Sequence, residues 1–276
     1  KHTRRKTMKV FNIQILKLLV LSLVFAACQS APTPPPTPPL TPISPTISSD
    51  EHIIRLATLD WPPYVGEVLP QYGFTTAIVS EAFKRAGYEV KVDFMPWTRV
   101  LQETEAGNYD AAYPEYYSEE RVKTFFLSDP LASGPLGFYK RKADNITYTK
   151  LDDLKPYRIG VVLGYINTPE FDAADYLQKE ATNSDEQNLR KLLLGRIDLV
   201  VIDKFVAQYL IKTSIPEAVG TLEFMEPPLL EQSLYVIFSR QVAGSEQKLQ
   251  AFNAALKTMR EDGTLERILK EYGFGK

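Results

Sequence analysis

The 276-residue chain has one cysteine, Cys28, and two histidines, His2 and His52. No disulfide can form within it. A zinc site built from Cys and His needs three or four such ligands, so that class is nearly excluded. Neither a metal nor a cofactor is expected. A Ser/His or Cys/His catalytic pair has no support, because both histidines lie outside the folded part or at its edge, and no catalytic residue is assigned. Charge of one sign is also missing. There are 32 Lys and Arg against 34 Asp and Glu, a net charge of -2. The basic excess of nucleic-acid binders is absent, so nucleic acid is not expected as a partner. The apolar run over residues 13–27 is interrupted by Gln14, Lys17 and Ser22. It falls short of the about 20 apolar residues that a membrane span needs. What remains, 24% charged and 44% hydrophobic residues, is ordinary for a globular chain.

The first fifty residues read as an address and a tether. Lys1, Arg4, Arg5, Lys6 and Lys9 precede the apolar run, and Phe25-Ala26-Ala27-Cys28 closes it. A basic start, a short apolar core and small residues before a cut describe a secretory signal over residues 1–28. The segment ending at Cys28 resembles a bacterial lipoprotein lipobox, with phenylalanine where leucine is more usual. An ordinary signal with an incidental cysteine is the alternative. Lipidation at Cys28 would hold the chain at a membrane without a span. Residues 29–50 are rich in proline and threonine, including Pro34, Pro35, Pro36, Pro38 and Pro39. Proline lacks an amide donor and fixes φ, so this is an extended spacer.

From Ile53 onward strands and helices alternate. Residues 53–57 read as a strand, 75–86 as a helix ended by Gly87, and 88–94 as a strand. Residues 97–106 read as a helix stopped at Gly107, and 109–113 as a short strand. The pattern repeats: a buried strand at 158–162, and a helix capped by Thr168 with Pro169 in its first turn. A capping box at Ser184-Asp185-Glu186-Gln187 opens the next helix. A strand at 197–202 and a helix at 203–212 follow. A late strand at 234–238 leads to two closing helices, 245–261 and 265–272. Tandem β-α-β units predict an α/β protein with two lobes, each a mainly parallel sheet flanked by helices. Ligands of such sheets bind beyond the carboxyl ends of the strands and often between domains.

Several blocks carry a family resemblance: Trp61-Pro62-Pro63-Tyr64 with Gly73-Phe74; Pro96-Trp97 with Gly107-Asn108-Tyr109-Asp110-Ala111; and Ser118-Glu119-Glu120-Arg121 with Phe126-Leu127-Ser128-Asp129-Pro130. Further on stand Ile159-Gly160-Val161-Val162-Leu163-Gly164, then Gly195-Arg196-Ile197-Asp198 through Asp203, and Asp262-Gly263-Thr264. In order and spacing they resemble family 3 of the bacterial extracellular solute-binding proteins, the polar amino-acid receptors of ABC transporters. The resemblance implies a periplasmic-binding-protein-like fold with a discontinuous first lobe, residues 51–138 plus 235–276, and a second lobe at 139–234. Two strands would cross between them as a hinge, at 136–141 and 233–239. It also implies export to the cell envelope, a small amino-acid-like ligand, a transporter permease as partner, and a monomer.

Arg121 is the first candidate ligand residue. It sits in the first turn of a helix that Ser118 can cap, where dipole and guanidinium both favour an anion. The family's matching arginine holds the ligand's α-carboxylate. A surface arginine paired with Glu119 or Glu120 is the alternative. Asp203 ends a strand, and the family's matching aspartate receives the ligand's ammonium; a helix N-cap is its alternative. Trp61 and Tyr64 can sandwich a ligand or pack in the core. Gly164, Tyr165 and Ile166 would offer backbone amides. Glu115 could select a basic ligand if it faces the cleft rather than solvent. Thr75 and Thr76 stand where many relatives carry an acid, and Tyr113-Pro114-Glu115-Tyr116-Tyr117 forms a bulkier wall. Two rival functions share the scaffold: a dehydratase-like enzyme using Glu115 for proton transfer, and a sensory receptor acting through a separate partner.

Overall fold

Strand β1 (Ile53–Thr58) buries Ile54 and Leu56 completely and lies between two parallel neighbours, β2 (Glu89–Phe94) and β3 (Ala111–Tyr116). Helices α1 (Phe74–Arg85) and α2 (Trp97–Glu105) make the crossovers, as parallel pairing requires. The structure, a computed structural model, describes residues 52–274. The signal segment, Cys28 and the spacer at 29–50 lie outside the described residues.

After β3 come α3 (Glu119–Thr124), β4 (Phe125–Leu127) and β5 (Ala132–Arg141). The second lobe repeats the first in outline. It contains β6 (Arg158–Val162), α4 (Pro169–Asp172), β7 (Gln178–Thr182), α5 (Asp185–Leu193), β8 (Leu199–Asp203), α6 (Lys204–Thr213) and β9 (Leu222–Phe224). Strand β6 pairs parallel with both β7 and β8. Strand β10 (Leu230–Ser239) then returns to the first lobe, and α7 (Ser245–Glu261) and α8 (Thr264–Glu271) close the chain. The sheet order is β2-β1-β3-β10-β5-β8-β6-β7, with β4 on β10 and β9 on β5.

The two lobes are joined where β5 and β10 pair antiparallel, residues 132–136 against 230–234. At Leu136 strand β5 exchanges β10 for β8, and at Leu234 strand β10 exchanges β5 for β3. The joint therefore lies earlier in both strands than 136–141 and 233–239, the crossings that the resemblance implies. Those segments are apolar because they are interior strands of each lobe, with Phe138, Val236, Ile237 and Phe238 buried. Within the crossing the residues are small or polar, Ala132-Ser133-Gly134-Pro135 against Glu231-Gln232-Ser233, with leucines only at its ends, Leu136, Leu230 and Leu234.

Two contacts return the C-terminal helices to the first lobe. Phe252 of α7 packs on Phe83 of α1 at 4.9 Å and on Phe238 of β10 at 5.9 Å between ring centroids. The buried carboxylate of Asp110 accepts from the Arg55 amide at 2.8 Å and from Lys248 Nζ on α7 at 2.7 Å. Strand β3 runs further than the 109–113 expected, through Pro114. Proline cannot donate to the ladder, and the pairing with β10 shifts register there, between Tyr235 and Ile237. Beyond that irregularity the strand carries Glu115 and Tyr116 to the edge of the crevice.

Candidate functional site

The carboxyl ends of β1, β3, β6 and β8 converge on the crevice between the lobes, the position expected for a ligand in open α/β sheets. After β1 the chain turns through Trp61 and Tyr64. Their rings stack at 4.7 Å and 18°. The turn is held by Thr75 Oγ1, which donates to the Tyr64 carbonyl at 2.7 Å. Gly73 has φ +93°, and a Cβ there would press on the same carbonyl, so only glycine fits. Thr76 is also used structurally, 3.0 Å from the Tyr113 hydroxyl.

From this turn two side chains reach across to the second lobe. The Tyr64 hydroxyl donates to Asp203 Oδ2 at 2.9 Å, and Trp61 Nε1 donates to Asp185 Oδ2 at 3.1 Å. Asp203 fits its alternative reading, a helix N-cap. Its Oδ1 caps α6, accepting from the Phe205 and Val206 amides at 2.8 and 3.1 Å. One carboxylate can do both because each oxygen faces a different way. Trp61 and Tyr64 stack on each other and are buried, and only Trp61 borders the cavity.

Arg121 is placed differently from a free anion hook. Ser118 caps α3 as expected, accepting from the Arg121 amide at 3.1 Å. The guanidinium pairs neither with Glu119 nor with Glu120. Its Nε donates to Glu115, and its Nη2 reaches the second lobe, donating to the Gly164 carbonyl at 2.9 Å. Glu115 faces inward, 4% exposed. Gly164 thus presents an acceptor to the crevice. The Tyr165 amide is spent on the Val162 carbonyl at 3.2 Å, so it is not an available donor. Tyr165 and Ile166 border a cavity of about 20 Å³ together with Trp61, Trp97, Glu115 and Tyr116. Such a space holds about one water. Arg99 is exposed and pairs with Glu103 at 3.5 Å.

Two residues enter the site that the sequence does not single out. Asp185 belongs to a capping segment, and Ser184 does cap α5, accepting from the Gln187 amide at 3.3 Å. The reciprocal bond goes to the Asn183 amide, at 3.3 Å, rather than to Ser184. Asp185 itself turns into the crevice. Tyr116, part of the aromatic wall, places its hydroxyl in the interior without a hydrogen-bond partner. The available signal is position: both residues lie at or just beyond the carboxyl end of a strand.

Burial pushes the carboxyls of Glu115, Asp185 and Asp203 up to about 7. For Glu115 the Arg121 charge opposes the rise. For Asp185 the Trp61 hydrogen bond opposes it while the Asp203 charge adds to it, and for Asp203 the α6 amides and Tyr64 oppose it. The folded state then binds more protons than the unfolded chain between about 4, the ordinary carboxyl value, and about 7. Stability from these groups is complete below that interval and falls as pH rises through it. We expect a lower denaturant midpoint at pH 8 than at pH 5, with a shallower decline in Asp185→Asn. A midpoint that rises over this range would mean that burial does not govern these carboxyls.

Gly134, on the crossing segment of β5, lies directly beneath the Tyr64–Asp203 bond. A Cβ there would overlap both the Tyr64 hydroxyl and Asp203 Oδ2. Gly134→Ala is expected to cost about 1–3 kcal/mol by overpacking and to part Tyr64 from Asp203. Urea unfolding reads the first effect and small-angle scattering the second, as a more open particle. Unchanged stability and dimensions would mean that the crossing strand yields.

Fold and crevice together define a two-lobed solute-binding protein. Residues 54–276 match the bacterial extracellular solute-binding proteins, family 3, and the chain belongs to that family. It is 27% identical over 212 residues to the L-cystine-binding protein TcyJ of Escherichia coli (strain K12), covering 74% of each chain. An ancestral arginine-binding protein bound to arginine superimposes with TM-score 0.69 at 24% identity, over 80% of this chain and 98% of the other. A histidine kinase sensor domain with similarity to periplasmic binding proteins gives TM-score 0.71 at 19% identity, over 81% and 97%. At these identities the two structural likenesses are of fold alone.

Proposed function

We propose that this protein captures a small amine-bearing solute, an amino acid or related compound, and delivers it to an ABC importer permease. Residues 1–28 would export it, lipidated Cys28 would anchor it to a membrane of the cell envelope, and residues 29–50 would space it from the surface. The receptor would work as a monomer, its lobes dividing where β5 and β10 cross. The reading is carried by one observation: aromatic and carboxylate side chains of both lobes meet at converging strand ends, with Tyr64 joined to Asp203 across the crevice at 2.9 Å. Relatives named for cystine and arginine binding agree with an amine-bearing ligand.

Closure would work by differential contact. Ligand that bridges the lobes favours the state in which they meet, and only that difference shifts the population. Mass spectrometry of small molecules released from purified protein should recover an unchanged amine, and its re-addition should compact the particle in small-angle scattering. Turnover of the added compound would instead establish an enzyme. No released compound and no compaction with any amine would remove the receptor reading.

A further inference from the structure

The charges facing the crevice do not balance. Arg121 pairs with Glu115, while Asp185 and Asp203 are buried with no cationic partner among the described residues. Arg121 is already committed, to Glu115 through Nε and to the Gly164 carbonyl through Nη2. A ligand carboxylate approaching it would meet the charge of Glu115. Asp185 and Asp203 have only neutral donors: Trp61 Nε1 and the Tyr165 hydroxyl for one, the Tyr64 hydroxyl and two backbone amides for the other. Glu231 adds further negative potential at Asp203. A buried carboxylate with neutral partners alone is costly unless a cation joins it.

A second, independent feature points to a ligand. The Tyr116 hydroxyl is buried with no hydrogen-bond partner, on a side chain 7% exposed. Tyr116 borders the cavity beside Glu115 and Tyr165, and the charges of Asp203 and Asp185 act on it. A hydroxyl can accept from an ammonium group that Asp185 or Asp203 also holds. The Trp61 ring meets that of Tyr116 edge-on with centroids 5.9 Å apart, and Trp61 and Tyr165 border the same cavity. An open groove of about 740 Å³, also lined by Trp61, Tyr165 and Asp185, adjoins the cavity. A ligand entering there would replace the Trp61 and Tyr64 donors with charged ones.

We propose that the crevice takes an organic dication, a compound presenting two ammonium groups such as an alkyl diamine, and requires no carboxylate on it. The proposal rests on the receptor reading above. Burial holds the Asp185 and Asp203 carboxyls near 7 without ligand, so a dication would bind with release of their protons and cancel both charges. A basic amino acid cancels one of them, and a neutral zwitterion cancels none.

Titration calorimetry on the full chain tests this with 1,4-diaminobutane, 1,5-diaminopentane, L-lysine, L-glutamine and L-cystine. A diamine should bind at least about tenfold more tightly than L-lysine, and L-lysine more tightly than the neutral amino acids. Asp185→Asn should weaken diamine binding by about tenfold or more, as should Tyr116→Phe, since a hydrogen bond to a charged group is worth about 1.5–3 kcal/mol. Because the buried Tyr116 hydroxyl has no partner in the fold, Tyr116→Phe should keep or raise the unfolding midpoint, which separates binding from folding. An amino acid binding as tightly as the best diamine would overturn the dication inference and leave the receptor reading standing. So would failure of every diamine while a released compound rebinds. Failure of all five compounds, with nothing released, would overturn both.

Discussion

Arg121→Ala is expected to lose about 3–5 kcal/mol of folding stability near pH 8, the usual cost of stranding one member of a buried ion pair. The reason is Glu115, whose side chain is 3% exposed while that of Arg121 is 13% exposed. Without the guanidinium the carboxylate keeps one hydrogen bond, from the Tyr116 amide at 2.8 Å. Its carboxyl already lies near 7 with Arg121 in place. Removing that charge raises it further, so protonation relieves the penalty as pH falls. The loss should therefore be smaller at pH 5 than at pH 8. Glu115→Gln/Arg121→Met should cost much less than Arg121→Ala, because no unpaired charge remains. Denaturant unfolding of both variants at two pH values checks this. Equal losses in the two would assign the effect to the Gly164 bond and to packing.

The second large effect separates two duties of one side chain. Asp203→Ala removes the α6 cap, about 0.5–2 kcal/mol, and leaves the buried Tyr64 hydroxyl without its acceptor, about 1–3 kcal/mol. Asp203→Asn should spare most of that stability. Asparagine caps helices as well as aspartate does, and its amide can donate to the Tyr64 oxygen. The carboxylate charge is gone, however. Affinity for an amine-bearing ligand should fall by about 2–5 kcal/mol, roughly thirtyfold to several thousandfold. Calorimetry beside urea unfolding distinguishes the two roles. An Asp203→Asn protein that binds as wild type would make Asp203 a helix cap alone and move the amine to Asp185.

Much of the molecule was legible along the chain. The apolar spacing of residues 53–57 and 158–162 marked β1 and β6, and Gly87, Gly107 and Gly195 marked helix ends. Ser118, Thr168 and Ser184 each cap the helix they precede. These are local matters: a helix start needs an acceptor within three residues, and a half-buried strand needs alternation. Short elements whose pairing is set from outside were not legible. Strand β7, Gln178-Lys179-Glu180-Ala181-Thr182, is polar and only partly buried. It is a strand because β6 offers it an edge. Strands β4 and β9 have three residues each and exist as additions to β10 and β5.

By itself, the sequence determined the fold class, the order of the elements, the strand ends that carry Asp203, Trp61 and Tyr64, and the helix start that carries Arg121. It did so because periodicity, capping and glycine stops act within a few residues. Only the tertiary structure decided which of these groups meet. Tyr64 and Asp203 lie 139 residues apart, and Trp61 and Asp185 lie 124 apart, so no local pattern encodes either bond. The same holds for the pairing that removes Arg121 from open duty. Glu115 turns inward because β3 carries it past Pro114 to the edge of the crevice, and burial beside a guanidinium then makes the ion pair its best partner. Charge type and strand-end position are written in the chain, but the balance of charge inside the crevice arises only when two lobes bring their strand ends together.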